Sequence, residues 1–288
     1  MNYKDIDISG WNQVGEGGIG KTYEHPDNPD VLLKVNKKSD MNDEATVRKE
    51  FEMAQHVFAL GLPTPRMYEM VRVGDCYGLL AERIKGKKSL SRICADDPQR
   101  IGETAALLAR EGKKLHATAC DTDFFPSHKE LALKAVDAVS YVDETDKEKM
   151  RTFVEGIDDV TTCVHGDFQT GNLIVSGEGK PYWIDLGWFN YGSPMFDLGH
   201  LFLLFQVYSQ FQGMRDIVHM TEEQLKAFWN AFAVVYSGSE DHAAFDAEVA
   251  KYAPLDVCCL SYVNPRPEAN QMFASVVHSM VEKYYRPN

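Results

Sequence analysis

The 288-residue sequence contains no C-x-x-C pair and no cysteine spacing typical of a metal site. Its six cysteines are Cys76, Cys94, Cys120, Cys163 and the adjacent Cys258 and Cys259. Scattered thiols of this kind fit a reducing compartment, so a disulfide framework is excluded as the basis of the fold and a cytoplasmic protein is expected. No apolar run reaches the ~20 residues that cross a bilayer. The most apolar stretch, Leu198 to Phe211, is interrupted by His200, Gln206 and Gln210, so no membrane is expected as a partner. The opening MNYKDIDISG lacks a basic-then-apolar leader, and no export signal is expected. Basic charge is also scarce: 30 Lys and Arg stand against 43 Asp and Glu, a net charge of −13. That argues against nucleic acid, which requires a basic face. There is no internal repeat and no low-complexity tract.

What the sequence does contain is concentrated in VHGDFQTGNLIV, residues 164 to 175, followed by YWIDLG at 182 to 187. Leu173 to Val175 and Tyr182 to Ile184 are short apolar runs separated by Ser176-Gly177-Glu178-Gly179-Lys180-Pro181, the pattern of a β-hairpin. Pairing symmetric about Glu178-Gly179 would set Asn172 opposite Asp185, with Cβ atoms ~5 Å apart. An amide oxygen and a carboxylate so placed can share Mg²⁺, which takes a few hard oxygen ligands together with substrate phosphates. Asp167, five residues before Asn172, is placed to receive a hydroxyl proton without becoming a ligand. In kinase chemistry a catalytic-loop Asp accepts the acceptor proton while a downstream Asn and a D-x-G Asp carry the metal, and the same order occurs here.

At the N-terminal end, Gly15-Glu16-Gly17-Gly18-Ile19-Gly20-Lys21-Thr22 satisfies both the G-x-x-x-x-G-K-T and the G-x-G-x-x-G patterns. A P-loop must open a helix, whose N-terminal amides bind phosphate. The following Tyr23 to Asp30 instead contains two prolines, and then Val31-Leu32-Leu33-Lys34-Val35 reads as a strand. The expectation is a glycine-rich hairpin, with Gly15, Gly17, Gly18 and Gly20 closing over a triphosphate and Lys34 on the third strand reaching it. A nucleotide hydrolase of the P-loop type would require helix from Tyr23 onward.

Residues 43 to 60 place Val47, Phe51, Ala54 and Phe58 at helical spacing and stop at Gly61, so one amphipathic helix is expected. Glu44 and Glu50 flank its apolar stripe, and periodicity leaves either free to pair with Lys34. Charge is uneven along the chain. Residues 1 to 88 hold 14 acidic and 13 basic side chains, the remainder 29 and 17. An acidic C-terminal part would attract a cationic small molecule. Thr221 is expected to open a later helix carrying Leu225, Phe228, Trp229, Phe232 and Val235. With 44% apolar content the chain can bury a sizeable core, divided into a small and a larger lobe.

His165-Gly166-Asp167 with Asn172, then Ile184-Asp185-Leu186-Gly187 and Pro194-Met195-Phe196-Asp197-Leu198, resembles the aminoglycoside phosphotransferase and choline kinase group, relatives of the protein kinases. The resemblance runs from about Trp11 into the C-terminal helices. It implies a two-lobed α+β kinase-like fold, with residues 1–85 as a small antiparallel-sheet, nucleotide-binding lobe bearing one helix and residues 86–288 as a mainly helical catalytic lobe. It further implies a phosphotransferase that uses ATP (with GTP as an alternative donor) and Mg²⁺ on the hydroxyl of a small molecule. Asp167 would be catalytic and Asn172 and Asp185 metal ligands. Glu50 would be the partner of Lys34, and the Glu82 carbonyl and Ile84 amide would hold the adenine. His165 would be structural, and Asp197 would cap a helix and brace the catalytic loop. A pseudokinase that binds nucleotide without turnover shares this fold, but its usual mark, loss of a catalytic Asp or the metal Asn, is missing here.

Overall fold

The computed structural model of the chain describes residues 3–16, 20–36 and 43–285, grouped into two compact units. Unit 1 comprises Met1–Lys88 together with Leu173–Gly187, and unit 2 comprises Ser89–Asn172 and Trp188–Asn288.

Unit 1 is built on a five-stranded antiparallel sheet. Its strands are β1 (Asn12–Glu16), β2 (Gly20–Glu24), β3 (Val31–Asn36), β4 (Met67–Val73) and β5 (Cys76–Glu82), in the order β1-β2-β3-β5-β4. Because successive side chains on a strand point to opposite faces, adjacent residues split between two cores. Leu33, Val71 and Leu80 pack with Ile6, Ile8 and Trp11 of the leading segment. Met70 and Leu79 pack with Val47 and Phe51 of the helix α1 (Glu44–Ala59). The helix starts where Asp43 accepts a hydrogen bond from the Thr46 amide, satisfying one of the donors that a helix N-terminus leaves unpaired. Phe58, expected on the buried stripe, is 44% exposed. Lys21 and Thr22 lie in β2, and a turn leads directly into β3, so the helix required by a P-loop is not formed.

The expected hairpin from 173 to 183 also belongs to unit 1. Its strands, β8 (Leu173–Val175) and β9 (Pro181–Trp183), pair Leu173 with Trp183, Ile174 with Tyr182 and Val175 with Pro181. This differs by one residue from the register read in the sequence, so the opposition of Asn172 to Asp185 does not hold. The cause is the turn. The Gly179 amide donates to the Ser176 carbonyl, Gly179 takes φ +83°, and the Ser176 amide donates to the Lys180 carbonyl. That is a three-residue loop ending in a left-handed glycine, whereas pairing symmetric about Glu178-Gly179 requires a two-residue turn. Asp185 therefore lies beyond the strand, at φ +57°.

Unit 2 is mainly helical. After the two-residue strand β6 (Lys88–Ser89), which spans the boundary, come α2 (Leu90–Asp96), α3 (Ile101–Ala117), α4 (His128–Ala138) and α5 (Glu144–Glu155). The loop carrying His165 to Asn172 follows β7 (Cys163–Val164), which pairs with β10 (Asn190–Tyr191). Then come α6 (Met195–Phe202), α7 (Gln212–Val218), α8 (Glu222–Ser237), α9 (Ala243–Ala250), α10 (Ala253–Val263) and α11 (Asn270–Tyr284). Helix α3 packs along α8 and α4 along α10. Thr221 opens α8 with a reciprocal capping box to Gln224, and Leu225, Phe228, Trp229 and Phe232 are fully buried. The most apolar stretch, Leu198 to Phe211, is not one continuous α-helix: α6 ends at Phe202 and continues as a π-turn, Leu203–Val207, and a 3₁₀ turn, Tyr208–Gln210. No helix among the described residues is long and apolar enough to cross a membrane.

Candidate active site

In unit 1, strand β3 carries Lys34 and helix α1 carries Glu50, and the two side chains meet with Nζ 2.6 Å from Oε1. Burial works against the Lys34 charge, but the charge and hydrogen bond of Glu50, together with the field of Asp185, outweigh it and hold the ammonium above its ordinary range. Glu44 is committed elsewhere, accepting from Tyr3, Tyr77 and Arg48. Geometry thus selects one of the two glutamates that periodicity left open. Gly15 lies in β1 and Gly20 starts β2, whereas Gly17 and Gly18 fall outside the described residues. Glu82 ends β5, where its amide donates to the Arg66 carbonyl and its carboxylate accepts from the Arg66 amide. Ile84 is buried just beyond. Asp185 is exposed and within electrostatic reach of Lys34. Its left-handed backbone is tolerated by Asp more readily than by most residues, but still at a cost.

In unit 2 the loop after β7 is fixed from beneath by Asp197, in the first turn of α6. Oδ2 accepts from the His165 amide at 2.7 Å and Oδ1 from the Gly166 amide at 2.9 Å. Pro194 holds the N-cap position, so Asp197 braces the loop without capping the helix. Asp197 is held in turn by His116, whose Nε2 lies 2.9 Å from Oδ2 while its Nδ1 faces the Tyr236 hydroxyl at 2.7 Å. Burial would raise the Asp197 carboxyl, but the hydrogen bond and charge of His116 and the His165 contacts hold it below the ordinary value. Gly166 adopts φ +79°, and a Cβ there would run into the Trp188 carbonyl, so the turn that aims Asp167 requires glycine. Phe168 anchors the other side, fully buried with its ring 5.3 Å from His116 and 6.1 Å from Phe232.

The Asp167 carboxylate is consequently fixed at both oxygens. Oδ2 accepts from Asn172 Nδ2 at 2.7 Å, and the same amide nitrogen donates to the Asp167 carbonyl at 2.8 Å. With Nδ2 turned inward, the Asn172 amide leaves its Oδ1 as a hard acceptor, and no hydrogen bond to that oxygen is found among the described residues. Oδ1 of Asp167 faces His200 Nε2 at 3.1 Å and Gln169 Nε2 at 3.3 Å. Burial would raise Asp167, but the hydrogen bond and charge of His200, then His165 and Asn172, hold it well below the usual carboxylate range. His200, His116, Tyr236 and Asp256 were not singled out from sequence. His200 entered only as a polar break in an apolar run, although its place three residues after Asp197 puts it one helical turn along.

Taken separately, the Asn172 amide oxygen and the Asp185 carboxylate are each hard oxygen donors of the kind Mg²⁺ takes alongside substrate phosphates. Asp167 and Asn172 belong to one unit, Lys34, Glu50 and Asp185 to the other.

The chain matches the profile described as the Phosphotransferase enzyme family over residues 11–240. No curated protein matches. Among solved structures, it is similar to a thermostable mutant of aminoglycoside phosphotransferase APH(4)-Ia in ternary complex with ADP and hygromycin B, at 16% identity and a TM-score of 0.60, covering 96% of this chain and 94% of that one. It is also similar to choline kinase LicA from Streptococcus pneumoniae, at 14% identity and a TM-score of 0.54, covering 95% and 93%. At these identities the likeness is one of fold, a protein kinase-like α+β architecture.

Proposed function

The chain belongs to the Phosphotransferase enzyme family, and on that premise we propose that it moves the γ-phosphoryl group of ATP to a hydroxyl of a small molecule in the cytoplasm. The observation that carries this reading is the braced Asp167, tied through Oδ2 to the amide nitrogen of Asn172 in a loop whose two amides end on Asp197.

The acceptor hydroxyl attacks the γ-phosphorus, the bond to the bridging oxygen breaks, and ADP leaves. Asp167 orients the attacking hydroxyl and receives its proton. So acidic a carboxylate is a weak base, which suits a loose transition state in which the proton moves late and positioning supplies most of the rate. Lys34, steered by Glu50, neutralises the α and β phosphates, and the glycine-rich segment that includes Gly15 and Gly20 approaches them through its main chain. The Glu82 carbonyl and Ile84 amide pair with the adenine. Asn172 and Asp185 would hold Mg²⁺, which when bound offsets the charge developing on the phosphates. The similar proteins solved with ADP and with AMP support a nucleotide donor. The acidity beyond residue 88 favours a cationic acceptor of the amino-sugar or amino-alcohol kind.

The test is a screen of cytoplasmic metabolites and aminoglycosides for ATP-dependent phosphorylation, repeated with GTP, with the Asp167→Asn variant as control. Transfer by the parent and not by the variant is expected. A parent that binds ATP but phosphorylates nothing would leave a nucleotide-binding regulatory module as the better reading.

A further inference from the structure

His200 lies between two carboxylates. Its Nδ1 is 2.9 Å from Asp256 Oδ2 and its Nε2 is 3.1 Å from Asp167 Oδ1. An ionised carboxylate only accepts, so a ring whose two nitrogens both face one must donate from both, which only the imidazolium can do. The His200 and Asp256 side chains are 4% and 9% exposed, while Asp167 at 31% retains a path to solvent. This row is therefore anchored deep in unit 2, where α10 carries Asp256 and α6 carries His200, and it ends at the carboxylate assigned to the acceptor hydroxyl.

From this geometry we infer that His200, clamped by Asp256, is a positioning residue that fixes the rotamer of Asp167 and keeps its second oxygen turned to the acceptor. Each link has one job. Asp256 fixes the ring plane through Nδ1, and the ring fixes Oδ1 of Asp167 through Nε2. Asn172 holds the opposite oxygen, so the carboxylate cannot swing about its terminal torsion, which is otherwise soft. The titratable groups that act on His200 from the surrounding elements are Asp167 of the loop, Asp256 of α10 and His128 of α4. His128 is buried, which pushes it toward the neutral form, and it donates or accepts at Asn190, so it does not compete for either carboxylate. Burial opposes the charge on His200, and Asp256 and Asp167 together outweigh it, in agreement with the geometric assignment.

The catalytic arm of this inference rests on the phosphotransfer reading, but the protonation of the ring does not, and the experiment separates the two. Nitrogen-detected NMR of imidazole-labelled protein reads the His200 ring directly, in parent and in Asp256→Asn. The parent ring is expected to carry protons on both nitrogens at pH values where an ordinary histidine has become neutral, and the variant ring to titrate nearer the ordinary value. A parent ring neutral at pH 7 would overturn the inference whether or not the protein transfers phosphate. Kinetics then test the positioning role. His200→Ala should lower kcat about 10- to 100-fold, the usual loss when a group that orients a functional side chain is removed, with KM for ATP within about twofold. His200→Gln, which keeps a donor near the Nε2 position, should recover part of that loss. A kcat for His200→Ala within twofold of the parent, or equal losses for the Ala and Gln variants, would overturn it. Absence of phosphate transfer by the parent would instead count against the proposed activity, leaving the NMR result to decide the state of the ring.

Discussion

The Glu50 carboxylate stands 2.6 Å from the Lys34 ammonium, joining the helix of unit 1 to the central strand of its sheet. Lysine is a flexible point charge, and without a fixed partner its ammonium would sample many rotamers. Lys34→Ala should remove a charged contact to the nucleotide worth about 1.5–3 kcal/mol, a rise of roughly 10- to 100-fold in KM for ATP. Glu50→Gln should cost less, since it disturbs only the aim of the ammonium. Calorimetric titration with a non-hydrolysable ATP analogue reads both, and unchanged affinity in Lys34→Ala would remove that residue from the nucleotide site.

Asp167→Asn should lower kcat by about 10²- to 10⁴-fold, the range for a positioned acid–base group. Nucleotide affinity should survive, because none of the phosphate-binding assignments involve this side chain. Steady-state rates and equilibrium binding on the same preparation check the two halves. Full activity in the variant would unseat Asp167.

Asp185 combines an exposed carboxylate with φ +57°, a conformation that glycine adopts freely. Asp185→Gly relieves that strain while adding freedom to the unfolded chain, so stability should stay within about 1 kcal/mol of the parent. The Mg²⁺ dependence of activity should be lost. Urea melts alongside a magnesium titration distinguish an ordinary turn residue from a metal ligand, since the former would leave activity intact.

Gly166→Ala places a methyl group against the Trp188 carbonyl at a backbone angle that alanine disfavours. Destabilisation of at least about 1–3 kcal/mol is expected, accompanied by a fall in kcat larger than the loss of folded protein explains. The denaturation midpoint and the specific activity of the folded fraction provide the comparison.

The carboxyls of Asp167 and Asp197 are both held below an ordinary aspartate value of 3.8. When the folded pKa lies below the unfolded one, the unfolded chain binds more protons in between, and stability falls as pH drops through that window. Their contribution is complete above about pH 5 and should fade at lower pH. Asp197→Asn, which removes it, should flatten the acid limb of a stability-against-pH profile. It should also cost about 1–3 kcal/mol, because the His165 and Gly166 amides and the His116 ring lose the buried carboxylate they share. A limb of unchanged slope would mean that other carboxyls govern acid unfolding.

What could be read from the sequence was local. Asp167 and Asn172 are five residues apart in one loop, so their order along the chain carried most of their geometry. The strand around Lys34 and the helix around Glu50 followed from periodicity, but the choice between Glu44 and Glu50 depended on how the helix rotates onto the sheet, which a stripe of apolar residues constrains only loosely. The hairpin register failed by one residue because a Glu-Gly pair does not announce whether its glycine closes a two-residue turn or ends a three-residue loop. The break after Phe202 was hidden because apolar residues fit α and π turns alike. The row Asp167, His200, Asp256 joins residues separated by 33 and 56 positions, and no short pattern encodes such a meeting.

Unit 1 is discontinuous: its hairpin arrives only with residues 173 to 187, and it docks by main-chain bonds, the Trp183 amide to the Pro63 carbonyl and the Gly177 amide to the Lys85 carbonyl. During synthesis at ~5–20 residues per second, unit 1 therefore waits roughly 5–20 seconds after Lys88 emerges before its last piece exists. Through that interval the ribosome-bound segment leaves the Pro63 and Lys85 carbonyls without the amides that later bond them. It also means that a fragment cut at Lys88 would hold all five strands of the Lys34 sheet but lack the hairpin of its own unit, which is whole only in a chain that reaches Gly187.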